Sequence, residues 1–242
     1  GLKALMAVAG IEPEQVNARH LGFGLGPRMN AAGRLETAQH ALDMLTARDG
    51  LAALEASEKL EELNTKRRSI QDAIFEEACQ QAEELANDRV LVVSSGGWNH
   101  GVIGIVASKL VEKYKKPVFI IGERGEEATG SARSFGDFSA ADAVRAADDI
   151  IIKGGGHGAA AGVTLTTEKI GDFRRRVNEF YDSLQLINQE RYLLPRADVE
   201  IDDFSEIDEE LVANLAKMEP FGNGNPEPVL KIARASVLSM RR

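Results

Sequence analysis

The sequence is poor in cysteine and histidine, the residues that form disulfides and zinc sites. Its 242 residues include one cysteine, Cys79, which excludes an internal disulfide and a zinc ribbon. The helical pattern around this residue, "EEACQQAEEL", predicts a small core residue and not a catalytic thiol. None of the four histidines falls at metal-ligand spacing, so we expect no metal site in this chain. The lack of disulfides fits a reduced, cytoplasmic compartment.

Long apolar runs and net positive charge are also absent. The longest apolar stretches, "VIGIVA" and "PVFII", fall short of the roughly 18 residues of a membrane span, so no membrane partner is expected. The formal net charge of −9 argues against binding a polyanion through bulk electrostatics. The acidic surplus is concentrated in residues 198–210, which contain eight acidic residues and no basic one. A basic groove elsewhere therefore stays compatible with this balance, and the acidic run is interpreted as a solvated linker and helix start.

Signatures of several enzyme classes are missing too. The sequence contains no Walker A loop, no HExxH motif and no EF-hand loop. The glycines of "GFGLGP" do not form a GxGxxG motif, because Pro27 occupies the position of the last glycine.

Apolar periodicity predicts helices in the first third of the chain. The clearest is a continuous helix over residues 49–87, with Asp49 as its N-cap. At 1.5 Å per residue this helix would span roughly 55–60 Å, which is enough to join two domains. A two-stranded coiled coil is the alternative, although the apolar stripe weakens at residues 66–68. Shorter helices are predicted at 2–9, from Pro27 after a loop, and at 36–47.

From residue 89 onward, predicted strands alternate with predicted helices, which indicates an α/β layer structure. Residues 196–242 are predicted to form a further unit with a strand, a helix over 206–218 and the turn "EPFGNGNPEP". Its last strand, 229–238, has no partner in view, so we expect this unit to be truncated. The earlier predicted strands are 89–95, 117–122, 127–135 and 162–166, and the helices are 102–114, 139–149 and 168–186.

The stretch "GGGHGAAAG" at 154–162 carries almost no side-chain bulk except for one imidazole, that of His157. Glycines permit close approach of the backbone to a ligand, and a row of free amides can form an anion nest. Histidine can donate a hydrogen bond to a phosphate. Taken alone, the stretch is more typical of a compact turn with a core histidine. Its neighbours in the sequence make a phosphate receptor the better interpretation.

Two further motifs carry arginine among small residues. In "GSARSF", strand alternation places Ser131 and Arg133 on one face, and a guanidinium beside a hydroxyl suits a phosphodiester. The alternative is that Arg133 is a surface arginine on an edge strand, which accounts for its spacing from Ser131 equally well. In "GPRMNAAGR", Arg28, Asn30 and Arg34 lie on the short helix. Arginines six residues apart do not share a helix face closely, so one is expected to bind ligand and the other to be structural.

The single tryptophan, Trp98, lies in "GWNHGVIGIVASKL", between a predicted strand end and a helix start. Open α/β sheets bind ligands at such places, and an indole there can stack on a base. Packing under a loop is the alternative, and the sequence does not separate the two.

These motifs together resemble the RecJ family of bacterial single-stranded-DNA exonucleases, within the DHH phosphoesterase superfamily. In one respect the chain departs from that family, because many members have histidine directly after the tryptophan, where this chain has Asn99 and then His100. The similar stretches are "GPRMNAAGR", "LNTKRRSIQDAIFEEA", "GWNHGVIGIVASKL", "GSARS", "GGHGAAAG" and "EPFGNGNPEP", in the family's order.

The resemblance implies an α/β fold with a DHHA1-type mixed sheet flanked by helices. It implies four segments, namely the end of a DHH domain (1–47), a connecting helix (48–87), a DHHA1 domain (88–195), and a linker with the start of an OB-fold (196–242). It also implies that two Mn²⁺ or Mg²⁺ ions are held by DHH motifs, and neither a DHH triplet nor a DxD motif occurs here. This chain alone is therefore expected to bind single-stranded DNA without cleaving it.

The resemblance also assigns roles to individual residues. Ser131 and Arg133 are expected to grip backbone phosphates, and the amides of Gly155 and Gly156 with His157 to receive the phosphate nearest the metals. Arg28, with Asn30 and Arg34, is expected to line the cleft between domains. The alternatives are a phosphodiesterase of oligoribonucleotides or cyclic dinucleotides, a DHHA1-type tRNA-binding or editing module, and a plain nucleic-acid-binding module.

Overall fold

In the computed structural model, residues 1–194, 196–232, 236 and 239–240 are described. The chain begins with helices and continues into a five-stranded sheet. A turn of π-helix, His20–Leu25, occupies much of the region predicted as a loop before Pro27. The first four helices are α1 (Leu2–Val8), α2 (Gly26–Leu35), α3 (Gln39–Thr46) and α4 (Gly50–Glu84).

Helix α4 is the predicted long helix, with 35 residues and a length of about 52 Å. It begins at the predicted cap, because the Asp49 carboxylate accepts a hydrogen bond from the amide of Ala52 at 2.8 Å. In its first half, Leu60 and Leu63 pack against α1 to α3. In its second half, Ile74 and Ala78 belong to the core beneath the sheet. One helix therefore links two hydrophobic cores, and helices of the same chain cover the stripe that a coiled coil would use.

The sheet has the strand order β1-β2-β3-β5-β4. β1 and β2 are parallel, whereas β2, β3, β5 and β4 follow one another antiparallel, so the sheet is mixed as expected. The strands are β1 (Leu91–Gly96), β2 (Val118–Arg124), β3 (Glu127–Arg133), β4 (Lys153–His157) and β5 (Ala160–Thr166). The flanking helices are α5 (His100–Tyr114), α6 (Ala140–Arg145) and α7 (Ile170–Ser183).

Helices cover the two faces of the sheet to different extents. On one face, α6 and α7 pack on the sheet around Phe119 and Phe173, whose rings meet edge to face at 5.1 Å. On the other face, α4 and α5 pack on β1 and β2, where Val93 and Ile120 are buried. Cys79 is buried in this second core, as predicted.

Most of the glycine stretch is β-strand, whereas the sequence suggested an anion nest, with a compact turn as the alternative. Lys153–His157 form the edge strand β4, which pairs with β5 in an antiparallel hairpin. An anion nest needs backbone in a turn-like conformation, and this segment is extended. Because successive amides of a strand point to opposite edges, the amides of Gly155 and Gly156 do not form a joint nest.

The last unit contains a strand β6 (Val199–Ile201), a helix α8 (Glu209–Ala216) and a strand β7 (Leu230–Ile232). β7 does have a partner, because it pairs with β6 in parallel. The remainder of the predicted final strand, 233–235 and 237–238, lies outside the described residues. Within the acidic run, Asp203 and Glu206 form a capping box and Asp208 caps α8. Among the described helices, none is both long and apolar enough to cross a bilayer.

Candidate nucleic-acid interface

The register of three neighbouring strands brings four predicted site residues onto one face of the sheet. Paired residues in adjacent strands share a face, as do residues two apart along one strand. We call the resulting surface the open face. One row consists of Arg133, Ala160 and His157, and the next of Ser131, Gly162 and Gly155.

The open face is covered by α5 over β2 and β3 and is uncovered at β4, which is exposed along its whole length. A Cβ atom added at Gly155 would meet nothing within 4 Å, so the floor is open there. At Gly154, by contrast, an added Cβ would overlap Val144 of α6. Glycines one residue apart therefore serve opposite purposes, because Gly154 permits packing beneath the sheet and Gly155 leaves space above it.

A glycine is required at position 156 for the close pairing of β4 with β5. Its φ of +155° lies in a region that residues with a side chain rarely adopt, and an added Cβ would overlap the carbonyl oxygen of Ala160. The backbone of β4 is thus pressed against β5 at this point. His157, directly after it, is exposed on the open face.

Arg133 lies at the boundary between the covered and uncovered parts of the open face. Its Nη1 donates to the Ala132 carbonyl oxygen at 2.8 Å and to the Ser131 hydroxyl at 3.3 Å, which confirms that the two predicted residues are neighbours. Burial lowers the pKa of Arg133, and the positive charge of Arg34 lowers it further. A cation in this position would be stabilised by an anion on the open face.

Arg34 reaches the same region from α2. Its Nη1 donates to the Gly101 carbonyl oxygen at 2.8 Å. The helices α2 and α5 touch at this point, because a Cβ on Gly101 would overlap the carbonyl oxygen of Arg34. The packing of α2 against the start of α5 therefore places Arg34 close to Arg133.

The other two predicted residues of α2 differ in their surroundings. Arg28 pairs through Nε with the Glu61 carboxylate of α4 and donates from Nη1 to the Gly24 carbonyl oxygen at 2.8 Å. Its side chain is 12% exposed. These contacts fit the structural member of the predicted arginine pair, with Arg34 as the member near the open face. Asn30 is exposed, and its role in binding stays a prediction.

The segment around Trp98 is held in place by packing and capping. Trp98 is 5% exposed, and its Nε1 donates to the Glu77 carboxylate at 2.7 Å, which favours packing over base stacking. The Asn99 side chain caps α5 by accepting from the amide of Gly101 at 2.8 Å. Burial, followed by the charge of Arg124, lowers the pKa of His100.

Sequence reasoning missed two basic residues near this surface. Lys153 lies on the open face two residues before Gly155, and it lines a cavity of about 330 Å³ with Thr129 and Thr164. Arg67 of α4 is buried, and the charge of Arg34 acts on it. The interruption of the apolar stripe at residues 66–68 was the available signal for Arg67, because a charge at an inward position needs an explanation.

The described residues do not fit a divalent metal centre. Among residues 1–194, 196–232, 236 and 239–240, no three His, Cys, Asp or Glu side chains are grouped so as to hold an ion. The open face offers hydroxyl, guanidinium, ammonium and imidazole groups, which suit a phosphate and not a metal.

The family comparisons agree with this architecture. Residues 87–183 match the DHHA1 domain, and residues 197–242 match the RecJ OB domain. The fold is accordingly α/β, with a DHHA1-type mixed sheet preceded by a long helix and followed by an OB-type region.

Curated relatives match nearly the whole chain. The chain is 35% identical to the single-stranded-DNA-specific exonuclease RecJ of Bacillus subtilis, covering 100% of this chain and 31% of that protein. It is 32% identical to the Thermus thermophilus protein of that name, covering 95% of this chain and 32% of that protein. The crystal structure of Thermus thermophilus RecJ in complex with Mn²⁺ matches with a TM-score of 0.79 and 30% identity, over 94% of this chain and 33% of that one. The chain thus spans about a third of the length of these relatives.

Proposed function

The chain belongs to the RecJ family, and from that premise we propose that it is part of a single-stranded-DNA-specific 5′-to-3′ exonuclease. In this proposal the chain binds and positions the strand, and bond cleavage takes place outside the residues described. The supporting observation is the strand register that gathers Ser131, Arg133, Gly155 and His157 on one open face.

The chemistry of the open face suits the sugar-phosphate backbone of a single strand. Arg133 and Ser131 would hold one phosphate through charge-assisted hydrogen bonds. The open floor at Gly155 would let the strand approach the sheet, and His157 would donate to a phosphate at the sheet edge. None of these groups reads a base edge, so we expect binding without sequence preference.

The rest of the assignment follows from the family. We propose the domain division given above, with 1–47, 48–87, 88–195 and 196–242 as its parts. The divalent ions, Mn²⁺ or Mg²⁺, would be held by the DHH motifs of the family, which do not occur in these 242 residues. DNA repair and recombination as the process, and the cytoplasm as the location, are part of the same proposal.

The 242-residue chain is expected to bind a fluorescent single-stranded oligonucleotide weakly, with an affinity that falls as salt rises. Each phosphate contact lowers the slope of log K against log salt by about 0.7 on single strands. Anisotropy titrations at several salt concentrations measure this slope, with a duplex of the same sequence as control. Incubation with Mn²⁺ should leave the oligonucleotide intact. Salt-independent binding, preference for the duplex, or Mn²⁺-dependent cleavage by the purified chain would contradict the proposal.

A further inference from the structure

Arg67 is a buried cation that pairs with no carboxylate among the residues that the structure describes. It lies in the middle of α4 and is 8% exposed. Its Nη1 donates to the Gln71 side-chain oxygen and its Nη2 to that of Asn64, both at 2.7 Å. Both acceptors are neutral amides on the same helix, so they fix the guanidinium plane without neutralising its charge. A buried charge of this kind is costly unless an opposite charge accompanies it.

The surroundings of Arg67 make this cost larger. Burial lowers the pKa of Arg67, as do the charges of Arg68 and Arg34. The one acid that acts in the opposite direction is Asp72, and its carboxylate accepts from Lys109 Nζ at 3.2 Å and from the Gln71 amide at 3.3 Å. Asp72 is therefore hydrogen-bonded to another cation and offsets the charge of Arg67 only in part.

Asn64 shows that the polar arrangement is set by the arginine. The residue is fully buried, and its Nδ2 finds no hydrogen-bond partner among the described residues. A buried amide nitrogen without a partner costs free energy, and a leucine would avoid that cost. The side-chain oxygen of Asn64 instead accepts a hydrogen bond from Arg67, so we infer that Asn64 is present to position this guanidinium group.

Two other arginines come together on one face of α5. Arg34 donates a hydrogen bond to the carbonyl oxygen of Gly101. Nη2 of Arg133 lies 3.3 Å from the position that a Cβ atom on Gly104 would occupy. Residues three apart in a helix are neighbours on its surface, so both guanidinium groups lie over the same turn. Helix α4, which carries Arg67, contacts both α2 and α5.

The three arginines share one further property. Their hydrogen-bond acceptors are carbonyl, amide and hydroxyl oxygens, with no carboxylate among them in the described part of the chain. Elsewhere in the same chain arginines are paired with acids, as Arg174 is with Asp88 and Arg176 with Asp149. Arg34 lies close enough to Arg67 and to Arg133 for its charge to act on both, and cations that lack acidic partners in this way form an arrangement that an anionic ligand would complete.

We propose that Arg34, Arg67 and Arg133 form a single anion site where α2, α4 and the sheet meet, and that Arg67 is its third phosphate-binding residue. The site takes a phosphate group, and Asn64 and Gln71 are the positioning residues that orient Arg67. The identification of this phosphate as one of a nucleic-acid strand rests on the proposed function, whereas the site itself does not.

Inorganic phosphate tests the site independently of DNA. In thermal unfolding of the 242-residue chain, added phosphate is expected to raise Tm at constant ionic strength, compared with chloride. Arg67→Met should lose this rise, and Arg68→Met should keep it, because Arg68 is the adjacent arginine but is exposed. If Arg67→Met does not fold, Arg67→Lys serves in its place, since it keeps the charge and loses the two-pronged geometry. A phosphate-induced rise in Tm that is equal in wild type and in the folded Arg67 variant would overturn the proposal.

Oligonucleotide binding then tests the identity of the ligand. Arg67→Met is expected to weaken binding of a single-stranded oligonucleotide by about tenfold or more, because it removes a charged hydrogen bond. The slope of log K against log salt should become less negative by about 0.7, the value for one phosphate contact, and Arg68→Met should change it less. If the wild type binds phosphate but no oligonucleotide, the proposed function fails and the anion site stands. If the wild type binds the oligonucleotide and Arg67→Met binds it with unchanged affinity and slope, Arg67 is not a ligand.

Discussion

Replacing Arg133 by alanine is expected to weaken single-stranded DNA binding by about 1–3 kcal/mol, the range of a hydrogen bond to a charged group. The loss should be the same for oligonucleotides of different sequence, because a phosphate contact carries no base information. Arg133 is already fixed in the free protein by Ala132 and Ser131, so little side-chain entropy is lost when a phosphate binds. Anisotropy titrations with pyrimidine-rich and purine-rich oligonucleotides measure both the loss of affinity and whether it is the same for different sequences.

The matched control for Arg133 is Arg145→Ala. Arg145 is exposed on α6, on the opposite side of the sheet, and is paired with Asp142. Its removal eliminates the same charge and should leave the affinity nearly unchanged. Arg133→Lys should fall between wild type and Arg133→Ala, because lysine keeps the charge but not the planar fork. Equal affinities for wild type and Arg133→Ala would remove Arg133 from the interface.

Gly156→Ala is expected to destabilise the fold by about 2–4 kcal/mol, from backbone strain together with overpacking. The backbone φ of +155° is unfavourable for alanine, and the added Cβ would stand 2.6 Å from the Cα of Ala161. Neither the backbone strain nor the overlap with Ala161 can relax without moving β4 away from β5. Urea denaturation followed by circular dichroism measures the loss as a lower free energy of unfolding.

The neighbouring substitution Gly155→Ala separates stability from binding. Its Cβ would meet nothing within 4 Å, so the chain should unfold at nearly the wild-type urea concentration. The methyl group would nevertheless stand on the floor of the open face, and oligonucleotide affinity should fall several-fold. Equal destabilisation by the two alanines would show that the hairpin is built differently, and unchanged affinity of Gly155→Ala would show that the strand does not cross this floor.

Much of the fold is encoded locally and could be predicted. The N-cap Asp49 and the spacing of apolar residues predict the long helix. The alternation of predicted strands and helices after residue 89 indicates the α/β layers. The glycine hairpin could not be predicted, because the three central residues of β4 are glycines and show no alternation of side chains that would mark a strand. Its extended conformation comes from pairing with β5, which is a tertiary interaction.

The candidate site was predictable in part for the same reason. Ser131 and Arg133 are two residues apart on one strand, so their common face follows from the sequence. That Gly155 and His157 share this face follows only from the register across β5. The interrupted apolar stripe marks Arg67 as unusual, but the sequence does not show that it lies close to Arg34, because that depends on how α4 packs against α2. For Arg28, the partner Glu61 lies 33 residues away, and spacing does not reveal such a pair.

Backbone amide chemical shifts recorded while a single-stranded oligonucleotide is titrated test the central claim most directly. Binding on the open face predicts that the amides of Ser131, Arg133, Gly155 and His157 shift together and saturate at one concentration. The amides of α7, on the opposite side of the sheet, should stay in place. Shifts confined to residues 196–232, with the open face unperturbed, would contradict the claim that this chain holds the strand on its DHHA1 sheet.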